Sequence, residues 1–424
     1  MMKRMSTPPT LPPHKSRPVD APKALEGIRV VDFSHFLSGP YCTQILADFG
    51  AEVWKIEKPG GGDDFRSHQP PSLGGEGIGY LWTNRNKKGL AIDLASGVGR
   101  ELALQLIDRA DVLVENFSAG VMQRMGLGYE TVAARNPRLV YCSISAAGRE
   151  GPLADRVGFD PIAQAESGFM AINGHPESEG VVAGAPIIDI TTGMMASNAV
   201  MAALAARERH GFGQLVEIAM FDQAAQMVGY RAVNYLATGV EPVRVGNSSQ
   251  HVVAIGVFPT ATGPIYLCCA NDRSYQRLVR QVLGRADLAE GEFADNAGRA
   301  RRRDWLRQEL RTILEARSRE HWLGQMRAAG VPVGAVLTVG EAFSGPDMRE
   351  RGLLSAIPHP TAGTVPNVAP PFRLSRTPVV DPVAAPTLGQ HTREVLRDAL
   401  DMDDTTFAAL AATGAFGAAP KGTT

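Results

Sequence analysis

Residues 28–33 (IRVVDF) form a short, mainly apolar, β-branched run, and after a Gly-Pro break the spacing predicts a helix over 41–49 and a second strand over 52–57. The same rhythm continues, with a strand at 90–94, an amphipathic helix at 98–110, a strand at 111–116, a helix at 129–135 and a strand at 139–145. Strands that are apolar at nearly every position, rather than at alternate ones, are buried on both faces. Alternating with helices, they predict a doubly wound, Rossmann-like α/β domain with a parallel sheet over residues 25–238.

A long helix rich in Met and Ala is expected over 189–207, and another over 221–236 after the turn segment GFGQ. From residue 239 the texture changes to short strands and turns (GVEPVRVGNSSQHVV, FPTATGPIY), which predicts a smaller α+β domain over 239–330 with helices at 274–283 and 304–315. Residues 331–424 are Pro-rich, end near a helix over 392–400, and are expected to return to the large domain. A chain of 424 residues is long enough for two such units. Residues 1–24, Pro-rich and basic, read as a disordered arm.

Composition narrows the function. The 43 basic and 44 acidic residues are interspersed, which disfavours nucleic acid or an anionic membrane as a partner. The basic run 299–319 is broken by Asp304, Glu309 and Glu315 at helical spacing, as on a solvated helix face. The arm lacks the apolar segment of a secretory signal. Arg, Asp, Gly or Pro interrupts each apolar stretch before the roughly 20 residues that span a bilayer, so a soluble protein is expected. Cys42, Cys142, Cys268 and Cys269 form no CxxC pair, so neither a disulfide framework nor a metal site is expected, and a reducing cytoplasm fits.

There is no GxSxG, HExxH, GxGxxG or Walker motif. Gly60, Gly61 and Gly62 could approach a phosphate or form a plain turn. His35 and Lys58 follow the first two strands, where open α/β sheets bind ligands, although His35 also fits a polar loop residue. Arg85, Lys87 and Lys88 add positive charge before the third strand, able to surround a nucleotide phosphate. Asp189 follows the apolar run 185–188 and precedes Thr191, Thr192 and Gly193. It reads either as a helix N-cap or as a nucleophile kept ionised by the helix terminus.

The stretch LEGIRVVDFSHFLSGPYCTQILADFGAEVWKIEKPGGGD resembles the opening of family III CoA-transferases. TNRNKKGLAIDL, ADVLVENFSAGVMQRMGLGY, NPRLVYCSISAAG, GFDPIAQAESGFM, PPFRLSRTP and LGQHTREVL are similar to its later motifs, in order, across nearly all of residues 25–400. The resemblance implies that Asp189 is the catalytic nucleophile. It implies coenzyme A contacts at His35, Leu37, Ser38, Lys58, Ile92, Ala95, Asn116, Phe117, Arg124, Met125, Phe159 and Asp160, with a structural role open for Asp160. Lys58 stands where formyl-CoA transferase has arginine, and Ala95 where it has lysine. The related racemases carry a catalytic histidine at the position of Phe159, which cannot exchange a proton. Residues 246–256 lack the family's glycine run, leaving Gln250 and His251 as possible donors on a loop that is otherwise plain.

The implied enzyme moves CoA from an acyl-CoA to a free carboxylic acid through mixed anhydrides and an aspartyl-CoA thioester, with no permanently bound cofactor. Backbone amides at the start of the Asp189 helix are candidate oxyanion donors, as is a loop of the smaller domain. The family also implies an interlocked-ring homodimer. The competing readings are an acyl-CoA racemase or isomerase using another base, and a non-catalytic CoA-binding homologue. The two acids are not legible in the residues.

Overall fold

The protein is described by a computed structural model over residues 10–18, 20–154 and 156–417. It divides into two compact units. The first takes in the described residues of Met1–Phe169, Ala183–Gly229 and Pro346–Thr424, and the second Met170–Val182 and Tyr230–Gly345. The second unit therefore begins earlier and ends later than 239–330, and it includes an excursion from the middle of the first.

Six strands build the sheet of the first unit: β1 Arg29–Asp32, β2 Glu52–Glu57, β3 Lys87–Ala91, β4 Val112–Glu115, β5 Val140–Ser145 and β6 Leu215–Ala219. Their order is β3-β2-β1-β4-β5-β6 and every pairing is parallel. This is the doubly wound order, in which the chain moves outward in opposite directions on either side of β1 and β4, opening a crevice at their carboxyl ends. Strand β6 escaped the sequence pattern. It is an edge strand (LVEIA) with only Ala219 buried, so it has no continuous apolar run to signal it.

Helices cover both faces. Val31, Trp54, Leu90 and Leu113 pack with Leu102, Leu106 and Ile107 of α2 (Gly97–Asp108) and Val132 of α3 (Tyr129–Arg135) on one side. On the other, Val30, Val53, Val112 and Cys142 pack with Cys42 and Leu46 of α1 (Ser38–Asp48). Each such side chain removed from water contributes about 1.5–3 kcal/mol. Helix α1 begins three residues before the expected 41–49, with Pro40 in its first turn, where a missing N–H costs nothing.

Helix α4 spans Asp160–Glu166 and α5 spans Ile187–His210. The expectation that no segment is long and apolar enough for a bilayer needs correcting: α5 has 24 residues and a mean hydropathy of 1.4, sufficient by length and composition alone. Its Ala196, Val200, Ala203 and Leu204 are buried in the sheet's second core. Gly193 sits so close to α1 that a Cβ there would lie 2.5 Å from the Ser38 carbonyl oxygen. The helix stops at Gly211 (φ +83°), with Arg207, Arg209 and His210 in the last turn facing its negative end. The helix expected over 221–236 is two: α6 Met220–Val228 and α7 Tyr230–Thr238, separated by Gly229 at φ +64°, ψ −142°.

The second unit holds an antiparallel sheet of β7 Ile255–Phe258, β8 Ile265–Cys268 and β9 Val333–Ala335, in the order β9-β8-β7. Against it pack Leu306, Leu310 and Leu314, one face of α8 (Arg303–Glu315), and Trp322 and Met326 of α9 (Arg319–Ala328). The first unit resumes with a hairpin, β10 Leu354–His359 and β11 Gly363–Val368, and helix α10, Thr392–Leu400, which is not the closing helix expected there, because a further helix, α11 Asp404–Ala412, follows it. Part of the expected disordered arm is tied to this region: Pro13 bridges Ala356, and Asp381 accepts the Arg17 N–H at 2.8 Å. Residues 1–9 of that arm lie outside the described residues.

Candidate active site

The strand order makes neighbours of the loops that follow β3, β2, β1 and β4, and these carry Ala95, Lys58, His35 and Asn116. Two of them are joined directly. The Asn116 side chain accepts the His35 N–H at 2.9 Å and donates to the His35 carbonyl at 2.8 Å, and Phe117 meets the His35 ring edge-on at 5.1 Å. Burial holds His35 below the ordinary histidine range, so it is neutral at pH 7.

The next residue, Phe36, has φ +60°, a left-handed backbone that costs a bulky side chain about 1–2 kcal/mol. It is held there by its neighbours. Asp63 Oδ1 accepts the Phe36 N–H at 3.0 Å, Asp63 pairs with buried Lys55 at 3.0 Å, and Lys55 Nζ donates to the Ser34 carbonyl at 2.7 Å. Burial by itself would raise Asp63, but Lys55 and the N–H groups of Phe36 and Phe65 outweigh it and keep the carboxyl below its ordinary value. Leu37, buried, precedes α1, and Ser38 is the first residue of that helix.

Ser38 faces Asp189. Asp189 is the third residue of α5 rather than its cap, which falls at Pro186. The capping function is carried out by Asp160, the first residue of α4: its Oδ2 accepts the N–H of Ile188 at 2.6 Å and of Asp189 at 3.0 Å. Gln164, one turn further along α4, donates to the other Asp160 oxygen and accepts the Ala183 N–H at 2.8 Å, fixing the chain where it rejoins the first unit. Burial first, and the Asp160 charge second, push Asp189 up to about 7, while a hydrogen bond from Ser38 opposes the rise. The expectation that the helix terminus keeps Asp189 ionised is thus corrected, because the dipole's N–H groups are already matched to Asp160.

That same capping removes the proposed oxyanion donors at this terminus. The Ile187 N–H bonds to Ala185 O and that of Ile190 to Pro186 O, so the amides of residues 187–190 are all engaged.

The remaining expected ligand contacts differ in their exposure. Asp160 is buried with both oxygens occupied, a structural role. Ile92 is fully buried in the main core, with no side-chain surface for a ligand. Met125 packs partly on that core. Ala95 and Arg124 are exposed, and Phe159 is exposed with its ring 6.2 Å from that of Phe36. Lys58 is on the surface and pairs with Asp64 at 2.5 Å. The cations expected ahead of the third strand are already paired: Arg85 is engaged by Asp48, Lys87 by Asp32, and Lys88 by Glu52 and Glu394. Gly62 (φ +68°) leaves room for the Glu57–Arg66 ion pair, since a Cβ would lie 2.7 Å from Glu57 Oε2, so the glycine run packs a turn.

Sequence reading missed Asp63, Lys55 and Gln164. Lys55 had a signal: a lysine inside the apolar strand EVWKIE is buried only when paired. Among the described residues no group of three or more His, Cys, Asp or Glu is placed to hold a metal ion. A cleft lined by Ala146, Arg156, Phe159, Ile162, Glu166 and Met220 opens beside α4 and does not include Asp189.

A doubly wound sheet with a half-buried carboxyl on a helix packed against the loop after its first strand defines an α/β protein with a site suited to carboxylate chemistry. The comparisons narrow this. The profile described as CoA-transferase family III matches residues 25–392. A succinate–glutarate CoA-transferase from Agrobacterium fabrum is 36% identical over 381 residues, covering 88% of this chain and 95% of that protein. An acetyl-CoA:oxalate CoA-transferase from Acetobacter aceti is 37% identical over 331 residues, 78% of this chain and 85% of that one. The crystal structure of a CAIB/BAIF family protein from Brucella suis superposes with a TM-score of 0.81 at 33% identity, over 89% of this chain and 100% of that one. The chain belongs to CoA-transferase family III and is a transferase acting on CoA thioesters.

Proposed function

We propose that the protein transfers CoA between two dicarboxylic acids through covalent intermediates on Asp189. The observation that carries this is the close approach of the start of α1 to the helix that bears the half-buried Asp189, where a Cβ on Gly193 would lie 2.5 Å from the Ser38 carbonyl oxygen, beside the loop that follows β1. The Asp189 carboxylate attacks the donor thioester carbonyl, and CoA thiolate leaves to give a mixed anhydride. The thiolate then attacks the Asp189 carbonyl, releasing the donor acid and forming an aspartyl-CoA thioester. The acceptor carboxylate attacks that thioester and expels the thiolate, which finally attacks the acceptor carbonyl and frees Asp189. The carboxylate is regenerated and no water is consumed. A carboxylate whose conjugate acid titrates near 7 is a better nucleophile than an ordinary one, and the burial that raises it also excludes the water that would hydrolyse the intermediates.

The dicarboxylate class is supported by the relatives, whose names specify succinate, glutarate and oxalate. A homodimer is supported by α7, which exposes Tyr230, Val233 and Leu236 with no buried residue of its own. The test incubates the enzyme with succinyl-CoA and hydroxylamine, then maps the modified residue by mass spectrometry. A hydroxamate on Asp189 is expected. Turnover with an unmodified Asp189 peptide would rule the covalent route out. Product masses from glutarate, oxalate and a monocarboxylate such as acetate test the acid class, which fails if acetate is preferred.

A further inference from the structure

We propose that Asp63, paired with Lys55, is a positioning residue that holds Phe36 in its left-handed conformation and so fixes where Ser38 stands against Asp189. This rests on the transferase reading of Asp189.

Asp63 and Lys55 are both buried and lie 3.0 Å apart. They straddle the loop that follows β1: Lys55 takes the Ser34 carbonyl, and Asp63 takes the N–H groups of Phe36 and Phe65, each at 3.0 Å. Asn116 takes both the N–H and the carbonyl of the residue between, His35. Each residue from 34 to 36 is therefore tied through its backbone to a side chain from β2, from the loop after β2 or from the loop after β4. Ser38 lies two residues on.

Slack in that short connection is small. A Cβ on Gly39 would lie 2.3 Å from Ser34 Cβ, and one on Gly193 would lie 2.5 Å from the Ser38 carbonyl oxygen. The start of α1 is thus pressed between its own preceding loop and the helix that carries Asp189. Asp63 is itself anchored, its N–H bonded to Glu57 Oε2 at 2.8 Å, and Glu57 is gripped by Arg66. A buried ion pair adds little net stability over apolar residues of the same volume. Its directional bonds to the loop backbone are what an apolar pair would not supply.

Two substitutions at residue 36 separate backbone conformation from side-chain contact. Asn tolerates positive φ and the β-branched Val does not. Phe36→Asn is expected to keep kcat within about fivefold of Phe36→Gly, while Phe36→Val falls a further 100-fold or so, the scale of a misplacement of about 1 Å. The KM for acyl-CoA should change by a similar factor in all three. Equal kcat for the Asn and Val variants would overturn the proposal.

Independently of activity, Asp63→Asn should speed amide hydrogen exchange across residues 34–38 by about tenfold while leaving β4 and β5 unchanged. Unaltered exchange in that loop would equally overturn it. Should Asp63→Asn fail to fold, the residue 36 series decides. A wild-type enzyme that forms no Asp189 adduct would defeat the covalent reading alone, since the exchange measurement is read without turnover.

Discussion

Asp160 Oδ2 accepts the backbone N–H of Asp189 at 3.0 Å, so one carboxylate caps the helix on which the other stands. The consequence is electrostatic as well as structural. Asp160 takes the favourable end of the helix dipole for itself, and its negative charge reinforces the burial that raises Asp189 to about 7.

Catalysis should follow the ionised form of Asp189. The expected pH profile of kcat/KM rises with pH through about 7 and levels above it, because protonation below that point removes the nucleophile. Asp189→Ala should lower CoA exchange on the order of 10^4-fold or more while leaving the circular dichroism spectrum intact. Exchange that persists in that variant would show that the covalent route does not operate.

Asp160→Asn retains an acceptor oxygen but removes the charge. The inflection in the pH profile should then move to lower pH, since one of the two influences raising Asp189 is gone. The weaker cap should cost about 1–2 kcal/mol by denaturant unfolding. A profile that stays in place would mean that Asp160 acts only as a cap.

The raised Asp189 also affects stability, with a definite sign. A carboxyl at about 7 in the folded chain and 3.8 as a free group binds its proton more tightly when folded. Its contribution is therefore most favourable at acid pH and declines as pH rises from about 4 to about 7. Asp189→Asn should raise Tm more at pH 8 than at pH 5. The same Tm difference at both pH values would contradict the raised titration.

Gly193→Ala tests the close packing of α1 on α5. The added Cβ would lie 2.5 Å from the Ser38 carbonyl oxygen, which is backbone and cannot rotate away. Overpacking of this kind costs about 1–3 kcal/mol, and the helix starts should part enough to reduce kcat. Wild-type urea stability and turnover would show that the interface yields more easily than the geometry indicates.

Racemisation is tested with deuterated water. Exchange of the α-proton without exchange of acids would favour the isomerase reading, whereas the transferase reading expects acid exchange with the α-proton retained.

Much of this site was legible. The loop positions of His35, Lys58, Ala95 and Asn116 follow from counting strands, because an open parallel sheet presents its ligand loops at one edge. Arg85, Lys87 and Lys88 misled, because a lysine or arginine beside a strand looks the same whether it meets solvent or a buried carboxylate. Asp48, Asp32 and Glu394 are 37, 55 and 306 residues away from them in the chain, too far for any local pattern to reveal the pairing.

By itself the sequence determined the local elements and the layered α/β class, since hydrophobic periodicity follows from which faces must leave water. It also singled out Asp189, through an apolar run meeting a helix start. Only the tertiary structure decided how that carboxyl is set: Asp160 arrives from a separate helix, Ser38 from the start of α1, which packs on the same face of the sheet, and Asp63 with Lys55 from the next strand and loop. Hydrogen bonds and ion pairs act over about 3 Å in space irrespective of separation along the chain, so their partners become visible only once the strands have been placed side by side.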